Sequence, residues 1–436
     1  MTDYSLDRVP DLAPSARYKF ATRVMPLLLL ALILLSIPLF EPSRTWLSLF
    51  NAIGINMVFA LSYNMLLGQT GLLSFGHAVY FGLGGYAAMH GMNAIENASY
   101  DGGVWAAVPV FALPLVGFAG GALAGAVIGF PSCRRSDVPF AMISLGIAEL
   151  VAAAGFMFIS VFGGEEGITG DRMNGIELFG LSLGPLGDVY WFIAFWTFVG
   201  VALMYAFTRT PLGKIAQAVR DNPERVQFVG YNPNRVRYLV FIAAGGFAGL
   251  AGGMSAVNYE IFTPESLSVI PSGLVLLMAF IGGARYFAGP ILGAVVLTYM
   301  QSNLSDYSEA WLLYLGLLFI GMILFAPGGL AGLLLSGTAA LKQSFSKKGL
   351  LRAWFYVSSV LKIGAGIIVL VELAVRYSNG FGEAFEPFGL HLAPDQMLSW
   401  MIGIVLVSVG VVSLKVLSKR GGMAHECTCF TADRPS

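Results

Sequence analysis

Residues 104–130 read VWAAVPVFALPLVGFAGGALAGAVIGF. No charge interrupts the run, and Gly117, Gly121, Gly125 and Gly129 recur every four residues, on one helix face. The run is far longer than the roughly 9–11 alternating residues of a transmembrane β-strand. It therefore reads as a helix that spans a bilayer. Its glycine face lets a second backbone come close where lipid supplies no hydrophobic drive for association. Gly245, Gly249 and Gly253 repeat the stripe, and Gly289 with Gly293 is a shorter case.

The rest of the chain has the same character. Of its 436 residues 56% are hydrophobic and 11% charged, with mean hydropathy +0.74. A soluble domain carries about 25% charged residues. Further apolar runs lie at about 25–40, 46–67, 76–95, 138–162, 188–207, 236–257, 267–283, 287–304, 310–326, 353–375 and 397–417. Some approach the lower length limit for a full span. The expectation is an all-α polytopic membrane protein with ten to twelve transmembrane helices, some re-entrant or broken. The run at 25–40 lacks a small-residue cleavage site and reads as a retained helix. Three cysteines (Cys133, Cys427, Cys429) make no disulfide framework.

Charge segregates by loop, and short Lys/Arg-rich loops stay in the cytoplasm. On an alternating scheme the inner side receives Arg8, Arg17, Lys19, Arg23, Arg134, Arg135, Arg285, Lys342, Lys347, Lys348, Arg352, Lys419 and Arg420. The outer side receives mainly acids, among them Glu96, Glu165, Glu166, Asp171, Glu260, Glu265 and Glu386. Arg172 and Arg376 break the rule. An even number of spans with both termini cytoplasmic follows.

Within this apolar chain residues 208–237, TRTPLGKIAQAVRDNPERVQFVGYNPNRVR, stand apart, with six basic residues against two acidic ones. Thr210-Pro211 is a cap followed by proline at the first helical position. Leu212, Ile215, Ala216 and Val219 then form one apolar stripe, with Lys214, Gln217 and Arg220 off it. Asn222-Pro223 starts a second short helix, ended by Gly230, and Asn232-Pro233 starts the next span. An amphipathic face of this kind fits an anionic lipid surface or the groove of a cytoplasmic partner. The pattern alone does not choose.

Residues 64–86, NMLLGQTGLLSFGHAVYFGLGGY, combine Asn64, Gln69, Ser74 and His77 with repeated glycines. Irregular, polar backbone at membrane depth belongs where it is buried or lines a cavity. The stretch is thus a candidate translocation path, against interhelical hydrogen bonding as the plainer reading. Glu149 sits near the middle of a span, where a carboxylate is a functional candidate by default. Residues 180–184, GLSLG, match the serine-hydrolase elbow but lack its strand, helix and His–Asp pair. His425, Cys427 and Cys429 are too few for a closed zinc site, so no metal is expected. No G-x-x-x-x-G-K-[ST] phosphate loop occurs, so any ATP is bound by another chain.

Several stretches together resemble the LivM-type permease subunits of branched-chain amino acid ABC importers. They are residues 60–88 (ALSYNMLLGQTGLLSFGHAVYFGLGGYAA), 138–150 (VPFAMISLGIAEL), 162–170 (FGGEEGITG), 210–232, 247–256 (FAGLAGGMSA), 263–268 with 282–294 (TPESLS, GGARYFAGPILGA) and 325–334 (FAPGGLAGLL). The resemblance runs in order from about residue 50 to 335. It implies a permease paired with a related permease subunit, two cytoplasmic ATP-binding subunits and an extracytoplasmic solute-binding protein, with membrane lipid around it and no nucleic acid. It also implies that 208–237 is the coupling loop. The Glu224 region and Gly230 fall on the family's Glu-Ala-Ala…Gly signature, although Arg225 and Val226 replace its alanines.

The expected organisation is a cytoplasmic segment 1–23, a permease domain 24–335, an extension 336–420 with two more spans, and a polar tail 421–436. The expected function is inward transport of branched-chain or similar small amino acids across a bacterial inner membrane. The subunit would be no enzyme and carry no cofactor of its own. Urea or short amides are the alternative cargo. An ion-coupled secondary transporter using Glu149 is the alternative of another class.

Overall fold

A computed structural model of the chain describes residues 16–40, 42–101, 107–135, 137–174, 182–307, 311–326, 328–334, 347–378 and 396–421. The fold is all-α. The helices are α1 Ala16–Ser36, α2 Arg44–Thr70, α3 Ala78–Asp101, α4 Leu113–Ser132, α5 Asp137–Met157 and α6 Leu186–Arg209. Then come two short ones, α7 Pro211–Asp221 and α8 Pro223–Phe228. The rest are α9 Pro233–Tyr259, α10 Val269–Gly282, α11 Gly289–Tyr307, α12 Trp311–Phe325, α13 Lys347–Ser378 and α14 Met397–Gly421. Among the described residues, five helices are long and apolar enough to cross a membrane: α2, α4 with its preceding turn, α5, α6 and α9. Shorter apolar helical stretches lie at Met25–Phe40, Val269–Gly282, Trp311–Leu324 and Met397–Ser413. Among the described residues one sheet pairs β1 Ile168–Thr169 antiparallel with β2 Ile261–Phe262.

The chain forms two compact units, Met1–Thr298 and Tyr299–Ser436. In the first, α9 is the central helix and packs on α4, α3 and α2. Glycine decides how closely. A Cβ on Gly249 would lie 2.2 Å from the Gly117 carbonyl oxygen, and one on Gly121 2.3 Å from that of Gly245. A Cβ on Gly252 would lie 2.0 Å from the Phe81 carbonyl oxygen of α3. The three backbones therefore touch directly, as close packing in lipid requires. Gly253 faces the backbone of Pro114, Gly125 that of Ile242, and Gly129 the ring of Phe241.

In the second unit α13 and α14 pack antiparallel. Gly366 meets Gly403 and Val407, Gly410 meets Ser359 and Ile363, and the Ser359 and Ser413 hydroxyls are 2.7 Å apart. Tyr314 donates to the Glu372 carboxylate at 2.9 Å, and Arg376, one turn on from Glu372, lies 3.8 Å from it. Thus Arg376, an exception to the charge rule, sits beside a buried acid of its own helix.

Candidate functional site

The site is built where α2 breaks. α2 ends at Gly71, in the left-handed conformation (φ 73°). The Gly71 and Leu72 N–H groups both donate to the Leu66 carbonyl, closing the helix end. Residues 71–77 are not helical, and α3 starts at Ala78. Free backbone amides in such a segment need partners. Three serine hydroxyls accept them: Ser144 of α5 from Phe75 N (3.0 Å), Ser272 of α10 from Ala78 N (2.9 Å) and Ser74 from Gly76 N (3.4 Å). The break is thereby held between α5 and α10.

His77 is fully buried in this segment. Ser62 spends its one proton on the Phe59 carbonyl (2.7 Å), so His77 Nε2–H must donate to Ser62 Oγ (2.9 Å). Nδ1 is then a bare acceptor, without a partner among the described residues. The ring stacks on Phe59 and meets the edges of Tyr63 and Tyr80. Asn64 and Gln69 are buried too, each with a side-chain oxygen unpaired among the described residues. Asn64, Gln69, Ser74 and His77 thus belong to one buried polar stretch. Glu149 does not join it. It lies on an exposed face of α5 with Met142, Gly146 and Ala153, and has no polar partner among the described residues.

Residues 208–237 fold as three capped starts. Thr210 Oγ1 accepts from Gly213 N (3.2 Å), Asn222 Oδ1 from Arg225 N (3.0 Å), and Asn232 Oδ1 from Asn234 N (3.0 Å) and Arg235 N (3.4 Å). Each cap precedes a proline. Gly213 folds tightly back on α6, since a Cβ there would lie 2.3 Å from the Phe207 carbonyl oxygen. Gly230 turns the chain at φ +93°. The apolar stripe points inward: Ala216 and Val219 are buried, Leu212 and Ile215 half-buried. Lys214 and Glu224 are exposed, and Phe228 and Val229 project at 89% and 74% exposure. Arg220 donates from Nη1 to the Gly68 carbonyl of α2, while its Nε and Nη2 both reach Asp221 Oδ1 (3.0 and 2.9 Å).

At the opposite end of the unit lies a second polar cluster. Arg172, 11% exposed, donates to the carbonyls of Leu183 (2.6 Å) and Asn258 (3.0 Å) and faces Glu260 at 3.6 Å. Its place outside the charge rule was the available signal. Ser182 donates to Asp188 Oδ2 at 3.3 Å; of the 180–184 match, Gly180 and Leu181 lie outside the described residues. His425, Cys427 and Cys429 also lie outside them. Among the described residues, no cluster of His, Cys, Asp and Glu could hold a metal.

The family described as "Branched-chain amino acid transport system / permease component" matches residues 45–327. The chain is similar to the high-affinity branched-chain amino acid transport system permease protein LivM of Escherichia coli K12, at 27% identity over 326 residues (70% of this chain, 74% of the relative). LivM of Salmonella typhimurium is also 27% identical, over 297 residues (63% and 67%). The high-affinity branched-chain amino acid transport system permease protein LivH of Escherichia coli K12 is 22% identical over 274 residues (59% and 85%). No solved structure matches the chain.

Proposed function

Because this chain belongs to the family of branched-chain amino acid transport permease components, matched over 45–327, we propose that it is one permease subunit of an ATP-driven importer of branched-chain or similar small amino acids. A related permease completes the membrane core in the bacterial inner membrane. Two cytoplasmic ATPases bind the ATP, and an extracytoplasmic protein delivers the substrate. Both termini are cytoplasmic. The permease domain spans 24–335 and the extension 336–420 adds a helical pair.

No bond is made or broken by this chain. Its work is an exchange between outward- and inward-facing states. Partners bias such an exchange only through contacts that differ between the states. Asn64, Gln69, Ser74 and His77 border the path. The observation that supports the reading most is the element 210–229, two short helices with their caps. It is capped at both helices, seated on the spans by Leu212, Ile215, Ala216 and Val219, and presents Lys214, Glu224, Phe228 and Val229 outward. A capped amphipathic element with an exposed apolar tip suits a groove on a soluble partner. Gly230 lets the chain leave it sharply.

The test is co-expression with the related permease and the ATPases, purification, and leucine uptake into proteoliposomes supplied with the solute-binding protein. Uptake is expected only with ATP on the ATPase side, with urea a poor competitor. Leucine uptake driven by an ion gradient with no ATPase present would overturn the reading in favour of a secondary transporter.

A further inference from the structure

We infer that Arg220 is a positioning residue that latches α7 to the broken end of α2, so that movement of the ATPase-facing element is passed to the segment 68–77. This rests on the importer reading above. α7 seats on the spans mostly through apolar side chains, Ala216 and Val219 foremost. Such contacts are non-directional and tolerate sliding. The Arg220–Gly68 hydrogen bond is directional, and it joins residues 152 apart in sequence.

Three further features fit a latch. The last carbonyls of a helix lack intrahelical partners, and a cation there also meets the negative end of the helix dipole. At the end of α2 the Leu66 carbonyl is taken by Gly71 and Leu72, whereas Gly68 is left to Arg220. Asp221 holds Nε and Nη2 on one oxygen, which fixes the guanidinium plane and leaves Nη1 aimed at α2. The arginine stem also lies over the break itself: a Cβ on Gly71 would come 3.1 Å from Arg220 Cγ. Gly68 in turn abuts Ala284, with 2.5 Å between a Cβ there and the Ala284 carbonyl oxygen. A pull on Gly68 is therefore felt by the loop before α11 and by Gln69, the next residue.

The experiment uses the complete complex in nanodiscs, carrying Arg220→Ala, Arg220→Lys or Asp221→Asn, with Arg135→Ala as an exposed control outside the ATPase-facing element. Three quantities are read: ATPase subunits retained per permease, ATP hydrolysis, and leucine uptake. A fourth is maleimide labelling of a cysteine placed at Leu73, with and without ATP and vanadate. Arg220→Ala is expected to retain subunits and hydrolysis, lose uptake by about tenfold or more, and abolish the ATP-dependent change in labelling. Arg220→Lys, a point charge without the planar fork, and Asp221→Asn are expected to fall between. Wild-type uptake and labelling in Arg220→Ala would overturn the latch. So would loss of ATPase subunits, which would make Arg220 a docking residue. Failure of the unaltered complex to retain ATPases would instead overturn the importer reading.

Discussion

Arg172 and Glu260 face each other across 3.6 Å at one end of the first unit, and the carboxylate is the lesser partner of the guanidinium. Arg172 also donates to carbonyls of residues 183 and 184 and to those of 257 and 258, the last turn of α9. One side chain thus ties the 171–185 loop to the end of the central helix. Arg172→Met is expected to lower stability by roughly 2–4 kcal/mol, since it orphans several acceptors at once. Glu260→Gln, on a residue over a third exposed, should cost under about 1 kcal/mol. Thermal unfolding in detergent compares the two; equal losses would mean that the ion pair, not the backbone clasp, dominates.

Gly249→Ala places a methyl 2.2 Å from the Gly117 carbonyl oxygen and 2.8 Å from the Gly121 Cα, both backbone atoms of α4. Overpacking of this kind costs about 1–3 kcal/mol or more. The variant is expected to express poorly and elute as aggregate. Gly146→Ala on α5, where nothing lies within 4 Å, is expected to behave as wild type. Size-exclusion profiles of the two variants check this.

The inner and outer faces of α7–α8 separate by stability. Phe228→Asp and Val229→Asp are expected to abolish ATPase co-purification while the permease melts normally. Leu212→Asp and Ile215→Asp, at half-buried sites, are expected to lose the ATPases and also melt earlier. Full recruitment by Phe228→Asp and Val229→Asp would place the docking contact elsewhere on the element.

Glu149→Gln is expected to leave the melting of the isolated chain unchanged, because the carboxylate is exposed there without a polar partner among the described residues. A carboxylate at mid-span is nonetheless costly against lipid. The substitution is therefore expected to alter pairing with the related permease, or uptake and its pH profile. Unchanged pairing and uptake from pH 5 to 8 would leave Glu149 without a role.

Cys133 closes α4, and burial pushes its thiol up to about 12, against a smaller downward pull from the Arg237 guanidinium. The folded state thus favours the neutral thiol. That contribution is complete below the ordinary thiol value and is lost as pH rises from there toward 12. With Cys427 and Cys429 replaced by serine, Cys133 is expected to resist maleimide at pH 8 until the protein is denatured. Rapid labelling of the native protein would contradict its burial.

The fold was legible because lipid demands long apolar runs, and each of the twelve runs falls on a helix. Boundaries moved where backbone chemistry intervened. Within the described residues the run 104–130 is helical from a turn at Val110, after Pro109, and the run 138–162 is interrupted at Phe158. The three cap–proline pairs of 208–237 were readable because capping is local. What could not be read was anything that depends on which helix lies next door. Ser144 and Ser272 hold amides 69 and 194 residues away. The inward turn of the α7 stripe depends on α9, α2 and α6 beneath it. In a membrane helix both faces are apolar, so periodicity gave no sign that Glu149 faces away from the buried side of α5. Glu372 is opaque to sequence for a similar reason: its partner Tyr314 belongs to another helix.

The contacts among α3, α4 and α9 have one further consequence. At their glycine contacts backbone faces backbone, with no side chain between to slide. Such contacts oppose sliding and suit movement of the three helices as one body. In the exchange of access proposed above, the helices around them would carry the movement, with the segment 68–77, clamped by serines of α5 and α10, beside the three.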